Sequence, residues 1–344
     1  MTKNHRAKIA ASILVLSLAL AACGSKNNGP DAPPSTPSPT SSPADTAPEP
    51  TESASATPSP GSDELIAEHY RQMTLAGAPA QEVYGELKKS IEQVQPAQAD
   101  ELIRTLKQYY EEDLPKTQKA FEVSEVQQAL YELDWPITEK EVAKLADEDV
   151  RELVEDTIAG GYKVETAEGQ YFPVVDYGRL LAYGDQVTIA MKAYLDLMAR
   201  ESDVPAAKDA ALVISWDELA SRVLAAESYI VTFPDTPERE QVEISFLRYL
   251  SIYFMGMSNT PNFDDETFAI LPELKTQYEQ MASSHGGTIA GQLAQEFLSI
   301  LEESNGQLFV QGENGEQKDV PAVRQFLDKL QDEALAKLPA AKNN

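Results

Sequence analysis

Apolar residues recur at intervals of three and four positions through most of the chain beyond residue 62. One such series is Val83, Leu87, Ile91 and Val94, and it stops before Pro96. Residues at this spacing share one face of an α-helix, because the helix turns once in about 3.6 residues. No alternation of strands with helices supports a parallel sheet. The sequence therefore predicts a mainly α fold, a multi-helix antiparallel bundle-like domain.

Several residues predict where these helices begin and end. Ser62 and Thr236 precede apolar series as N-caps, and capping boxes begin at Thr138 and Ser215. We expect the helix opened by Thr138 to continue to about residue 160. Pro115 is expected to end the third helix, since proline lacks the N–H that an interior position donates.

Two short segments change from helical spacing to the pattern of a β-hairpin. Residues 162–165 and 171–176 alternate around a turn at residues 167–169, and Pro173 would confine the second strand to an edge. Residues 308–311 precede Asn314-Gly315, a dipeptide typical of a type I′ turn. We therefore expect two small hairpins beside the helices.

The charge of the chain restricts its partners. The chain has 344 residues and a formal net charge of −28. An acidic surface repels phosphate backbones, because nucleic-acid affinity depends on Lys and Arg displacing counterions. Nucleic acid is therefore not an expected partner. Anionic lipid headgroups should repel the folded part as well, so any membrane attachment has to come from another source.

The first 23 residues have the three regions of an export signal. A basic start with Lys3, Arg6 and Lys8 is followed by an apolar run at 9–20, too short for a hydrocarbon core of about 30 Å. The run ends in Leu20-Ala21-Ala22-Cys23, which contains the only cysteine. This motif resembles the lipobox of bacterial lipoproteins. The resemblance implies a diacylated Cys23 as the mature N-terminus and a lipid anchor on the extracytoplasmic side of the cell membrane.

Composition divides the chain into three parts. Residues 1–22 are the expected signal peptide. Residues 23–62 combine the lipidated cysteine with a linker in which 24–62 contains 10 Pro, 9 Ser and 5 Thr. Such a segment buries too little apolar surface to become ordered, so it predicts a stalk or a simple tether. Residues 63–344 form the helical domain, with a possible division into lobes at 63–160 and 161–344.

Motifs for the common catalytic chemistries are missing. Beyond the signal the only histidines are His69 and His285, and no H-E-x-x-H, P-loop or G-x-S-x-G motif occurs. We therefore assign no catalytic residue, no metal ligand and no cofactor. Two alternatives stay open: a serine triad through His285, and a pair of carboxylates for glycoside cleavage.

One segment combines aromatic rings with charges and predicts a ligand or partner surface. Tyrosine offers both apolar area and a hydroxyl group, which suits contacts with a sugar, a peptide or a protein. The alternative is that these aromatic rings pack onto the helices. The candidate residues are Tyr162, Tyr171, Phe172, Asp176, Tyr177, Arg179 and Tyr183.

Three functions are compatible with these features. The first is a membrane-anchored module that binds an envelope protein, a peptide or a glycan. The second is a cell-envelope hydrolase that uses carboxylates. The third is a transporter-associated solute-binding lipoprotein, which is disfavoured because that group resembles two α/β lobes. We expect the first of these, a binding module.

Overall fold

Thirteen α-helices account for most of the described chain, which comprises residues 61–314 and 316–341 of a computed structural model. The predicted signal, Cys23, almost all of the linker and Gly315 lie outside the described residues. The fold is mainly α, as the sequence predicted. The helices are α1 (Ser62–Leu75), α2 (Ala80–Ser90), α3 (Pro96–Phe121), α4 (Ser124–Tyr131), α5 (Glu139–Val142), α6 (Glu148–Ala159), α7 (Tyr177–Leu181), α8 (Ile189–Asp203), α9 (Trp216–Thr232), α10 (Arg239–Met255), α11 (Pro272–Ser284), α12 (Ile289–Glu303) and α13 (Pro321–Lys337).

The strands form three separate antiparallel hairpins. The two predicted hairpins are present, and in the second the connection spans residues 312–316. A third hairpin, of two residues per strand, was not predicted. The strands are β1 (Tyr162–Ala167) with β2 (Gln170–Val175), β3 (Ala207–Lys208) with β4 (Ala211–Leu212), and β5 (Phe309–Gln311) with β6 (Gln317–Asp319).

Helix boundaries agree with the predicted caps in part. The side chains of Thr138 and Ser215 accept hydrogen bonds from main-chain N–H groups three residues further on, as expected. However, Thr138 opens only the short helix α5, and α6 has its own cap at Asp147. Ser62 is the first residue of α1 rather than its cap, and α10 begins after Glu238 rather than at Thr236.

The prediction that Pro115 ends a helix is wrong, because α3 continues through it to Phe121. An interior proline removes one main-chain hydrogen bond. Here Tyr110, before the proline, is buried in one hydrophobic core, and Phe121, after it, is buried in another. Burial of both rings outweighs the lost hydrogen bond and holds α3 in one piece.

Two clusters of buried apolar residues stabilise the fold. The larger contains residues from α1–α3 and from β1 through α13, including Tyr70, Leu106, Phe254 and Phe297. The smaller is formed by the end of α3 at Phe121, by α4, α5, α6 and their connections, and by Val164 of β1. The larger core thus contains residues from both sides of the boundary at 160/161, and the division into two lobes stays a prediction.

The β1–β2 hairpin has two chemically different faces. Side chains alternate between the faces of a strand. Tyr162, Val164 and Pro173 point to one face and are buried in the cores. Glu165 and its cross-strand partner Phe172 point to the other face. This second face borders a cleft, so the hairpin separates the hydrophobic core from a surface that solvent can reach.

The outer edge of β2 is occupied by side chains from the helices. The side-chain amide of Gln127 donates to the main-chain carbonyl oxygen of Tyr171 at 2.7 Å and accepts from the main-chain nitrogen of Tyr171 at 2.8 Å. Gln118 donates to the Pro173 oxygen at 3.1 Å. These bonds satisfy the main chain of an edge strand that has no further strand beside it.

No helix among the described residues is long and apolar enough to span a membrane.

Candidate functional site

An open cleft of about 880 Å³ lies on the described part of the chain. Six elements border it: the β1–β2 hairpin, the start of α7, the β3–β4 hairpin, α3, α8 and the start of α10. Most of its surface is apolar. Its apolar lining residues include Leu114, Phe172, Val174, Tyr177 and Met198, and charged side chains line it as well.

The turn of each hairpin lies beside the cleft. The β1–β2 turn consists of Glu168 and Gly169, both with positive φ, as a type I′ turn requires. The β3–β4 turn consists of Asp209 and Ala210, with φ of 49° and 58°. Positive φ is unfavourable for a residue with a side chain, so other contacts have to hold the second turn.

Those contacts come from the loop after α10. The Asn259 side-chain amide donates to the main-chain carbonyl oxygen of Asp209 at 2.6 Å. The Asn259 main-chain nitrogen donates to the carbonyl oxygen of Ala210 at 3.0 Å. Next to the turn, the Leu212 nitrogen donates to the Thr260 hydroxyl oxygen at 3.1 Å. The surrounding structure therefore fixes the left-handed conformation that the local sequence disfavours.

An ion pair joins the two hairpins at the cleft. The Lys208 ammonium group lies 2.6 Å from the carboxylate of Glu165. The same nitrogen is 5.7 Å from the ring centroid of Trp135, which is within range of a cation–π contact. The position of β3 relative to β1 thus depends on these side-chain contacts as well as on the main chain.

Glu201 connects α8 to neighbouring elements beneath the cleft. Its carboxylate lies 3.1 Å from both Arg222 and Arg248, and it accepts from the Tyr249 hydroxyl at 2.9 Å and from the Ala206 nitrogen at 3.2 Å. Burial, followed by the nearby Glu201 charge, raises the pKa of Tyr249 well above its usual value, so the phenol stays a donor. This carboxylate is fully engaged in holding the fold.

Four other charged groups of the cleft have no ion-pair partner among the described residues. Three are carboxylates, on Glu111, Glu168 and Asp209, and all three residues are exposed. The fourth is the ammonium group of Lys107, which lies over the ring of Tyr194 at 4.9 Å from its centroid. Unpaired charge at the cleft is therefore predominantly negative.

Two of the seven residues predicted as a ligand surface lie in the cleft. Phe172 and Tyr177 both line it, and the Tyr177 nitrogen donates to the hydroxyl oxygen of Ser202, another lining residue, at 3.1 Å. Burial raises the pKa of Tyr177, so its hydroxyl stays protonated.

The other five predicted residues have different surroundings. Tyr162 is fully buried and its hydroxyl donates to Asp113 at 2.8 Å. Asp176 caps α7 by accepting from the nitrogen of Arg179. Three residues pack onto the body of the protein. Arg179 lies over the Tyr84 ring and donates to the main-chain oxygen of Ile158. Tyr171 packs on the smaller core and Tyr183 on the larger one.

The cleft residues from α3, α8 and β3–β4 carried no signal in the sequence. Lys107 and Met198 occupy ordinary helical positions. The segment Lys208-Asp209-Ala210-Ala211 lacks the Gly that marks a hairpin turn. Only the tertiary fold brings these residues together.

The serine-triad alternative gains no support from the geometry. His285 is exposed and borders a shallow groove with Asp217 and Ser221. Among the described residues no hydrogen bond joins the three side chains, whereas a triad needs both its nucleophile–base and base–acid contacts. Nor does any group of three or more His, Cys, Asp or Glu in residues 61–314 and 316–341 have the arrangement of a metal site.

Fold and cleft together define a mainly α-helical protein with one large, apolar, acid-rimmed groove. No family model, no curated protein and no solved structure matches the chain.

Proposed function

We propose that this chain is a bacterial lipoprotein whose helical part binds a partner at the cell envelope, with the cleft beside β1–β2 as its binding site. The lipobox-like end of the signal supports an anchor at Cys23, on the extracytoplasmic side of the membrane. The observation that carries the binding role is the cleft of about 880 Å³. Ligand sites are concave and mostly apolar, and they measure about 300–1,000 Å³.

The aromatic and aliphatic side chains of the cleft are well suited to contact a ligand. Phe172 and Val174 project from one face of β2, and their positions are set by the core residues on the opposite face. Such side chains need little reordering when a ligand binds, which lowers the entropic cost of association.

The alternative, a hydrolase that uses carboxylates, receives less support from the cleft. Such an enzyme needs one carboxyl group with a raised pKa beside a second carboxylate. Glu165 is paired with Lys208, and Glu201 is paired with two arginines. Both carboxylates are thus engaged in ion pairs within the protein rather than placed to act together on a substrate.

A neutral apolar dye tests the proposed binding site directly. Diphenylhexatriene fluoresces in apolar surroundings, and we would titrate it into the full chain carrying Cys23→Ala, in which no acyl chain competes for the dye. We expect saturable binding. Phe172→Ala should weaken it by about tenfold, because the aromatic ring supplies on the order of 1.5 kcal/mol of apolar contact.

Matched variants separate the cleft from other apolar surfaces. Tyr131→Ala removes a ring that is 76% exposed on α4, outside the cleft, and should leave the affinity unchanged. Val174→Ala gives a second change within the cleft, and circular dichroism checks the fold of each variant. Binding that is unaffected by both Phe172→Ala and Val174→Ala would exclude the cleft as the site.

A further inference from the structure

We infer that the cleft takes an extended peptide segment with an apolar side chain next to a basic residue. This inference rests on the proposed binding function and specifies its ligand. Two independent features support it: the unpaired charges at the cleft and the unpaired edge of strand β3.

Charge complementarity favours a basic ligand. Glu165 and Glu201 are neutralised within the protein, by Lys208 and by Arg222 with Arg248. The remaining charges are the carboxylates of Glu111, Glu168 and Asp209 and the single ammonium group of Lys107. The cleft therefore keeps a net negative charge, in a chain whose own net charge is −28. A cation near the mouth of the cleft gains favourable interactions, whereas an anion is repelled.

Each of the two hairpin turns at the cleft carries one of these carboxylates. Glu168 belongs to the β1–β2 turn and Asp209 to the β3–β4 turn, and the Glu165–Lys208 ion pair links the two hairpins. Glu111 extends the acidic rim onto α3. A basic side chain next to an apolar one can thus contact the rim while the apolar group enters the cleft.

Strand β3 offers main-chain groups to an extended peptide. The two-residue turn makes Lys208 and Ala211 a hydrogen-bonded pair, and the Val213 nitrogen donates to the Ala206 oxygen at 3.0 Å. Because hydrogen-bonded and non-bonded pairs alternate, the N–H and C=O of Ala207 point away from β4. Neither group has a partner among the described residues, and Ala207 lines the cleft.

The outer edges of β2 and β4 are already occupied. Gln127 and Gln118 bond the outer edge of β2, and Thr260 accepts from the Leu212 nitrogen on the outer edge of β4. An added strand therefore has no access to these two edges. Addition of a peptide strand to an exposed edge is a recurring mode of recognition, in which the main chain gives affinity and side-chain pockets give specificity.

A set of synthetic peptides tests both features on the full chain with Cys23→Ala. The parent peptide is acetylated and amidated, with a central phenylalanine between two valines and a lysine at each end. Glutamate-ended, serine-ended and backbone N-methylated versions complete the set, and calorimetry at low salt measures their affinities. We expect the lysine-ended peptide to bind at least about tenfold tighter than the glutamate-ended one, and N-methylation to weaken binding by about tenfold.

Variants of the rim localise the charge effect. The triple change Glu111→Gln, Glu168→Gln and Asp209→Asn should weaken the lysine-ended peptide by about tenfold and leave the serine-ended one unchanged. A control with the same change in net charge, at exposed acids outside the cleft, should have little effect; it combines Glu125→Gln, Glu302→Gln and Glu303→Gln.

The outcomes distinguish this inference from the proposed function. If diphenylhexatriene binds in the cleft but the lysine-ended and glutamate-ended peptides bind equally, the ligand class is wrong and the binding site stands. If N-methylation has no effect, or the trimethylammonium derivative of diphenylhexatriene binds as tightly as the lysine-ended peptide, the peptide assignment is overturned. If the neutral dye does not use the cleft at all, the proposed function itself fails.

Discussion

The ammonium group of Lys208 lies 2.6 Å from the carboxylate of Glu165, and this contact joins the β3–β4 hairpin to the β1–β2 hairpin. The side chains of these two residues are 28% and 12% exposed, so water screens the pair only in part. The pair therefore contributes to the shape of the cleft as well as to stability.

Lys208→Met is expected to lower the free energy of unfolding by about 1 kcal/mol and to weaken binding of the neutral dye several-fold, because β3 loses a link to β1. Urea denaturation and dye titration measure the two effects. Lys192→Met is the matched control, since it breaks a 2.7 Å pair with Asp185 whose side chains are 52% and 88% exposed. Equal losses of stability in the two variants would contradict a special role for the hairpin pair.

Glu227 is a buried carboxylate on α9 that caps another helix. Its two oxygens accept from the main-chain nitrogens of Ile289 and Ala290, at 2.5 and 3.0 Å, at the start of α12. Glu227→Ala leaves two buried donors unsatisfied and should lower the free energy of unfolding by about 3 kcal/mol.

Glu227→Gln keeps one acceptor oxygen and should lose less stability than Glu227→Ala in the same urea denaturation experiment. Glu240→Ala, at an exposed position of α10, serves as the control and should change stability by less than about 0.5 kcal/mol. A Glu227→Ala protein as stable as this control would show that the contacts do not stabilise α12.

Burial raises the pKa of several tyrosines far above the ordinary value of 10.0, as at Tyr70, Tyr162 and Tyr278. Above about pH 10 these phenols ionise in the unfolded chain but stay protonated in the folded one. The stability they contribute is present below pH 10 and is lost as the pH rises towards the folded pKa. We therefore expect cooperative alkaline unfolding, with tyrosinate absorbance appearing together with loss of helix.

Tyr70→Phe tests this expectation at one site. The Tyr70 hydroxyl is buried and has no hydrogen-bond partner among the described residues, so its removal should not lower stability at neutral pH. Above pH 10 the free energy of unfolding should fall with pH less steeply in the variant than in the parent. The two slopes should differ by about 1.4 kcal/mol per pH unit, the contribution of one titrating phenol. Identical slopes for variant and parent would refute the assignment.

Ala210 has a φ of 58°, in the left-handed region that disfavours residues with a side chain. Ala210→Gly should therefore raise the free energy of unfolding by about 1 kcal/mol. Ala220→Gly, in the interior of α9, should lower it by a similar amount because glycine disfavours helix. Urea denaturation of both variants checks the opposite signs, and a loss of stability in both would argue against strain at the turn.

Cys23→Ala tests the proposed anchor. If the cysteine is diacylated, the variant should lose fatty-acid labelling and leave the membrane fraction, since an acyl chain contributes about 0.8 kcal/mol per buried CH₂ group. Metabolic labelling with a fatty acid and fractionation of cells measure both properties. A variant labelled as strongly as the parent would rule out lipidation at this residue.

The helices were predictable because their signal is local and repeated: apolar residues three and four positions apart have to share a buried face. The turn at Glu168 was predictable for a similar reason, since Gly169 next to it accepts a positive φ freely. The prediction that Pro115 ends α3 was wrong because the outcome depends on the burial of Tyr110 and Phe121, which belong to different cores.

The cleft was predictable only at Phe172, which belongs to the hairpin that the sequence indicated, and at Tyr177, two residues after it. Its other walls come from segments that are distant in the sequence, from Lys107 on α3 to Gln241 on α10. The β3–β4 turn depends on Asn259, whose hydrogen bonds hold a conformation that Asp209 and Ala210 do not favour by themselves. No pattern within a short window contains that information.

The alternation along β1 and β2 has a consequence for how this protein can diversify. If the cleft is the binding site proposed above, substitutions at Phe172 and Val174 change what it recognises, while Val164 and Pro173, buried on the other face, are left untouched. Under that proposal, selection can act on recognition and on folding through separate sets of residues in the same fourteen-residue hairpin. The scaffold can be adapted to a new ligand without first being redesigned.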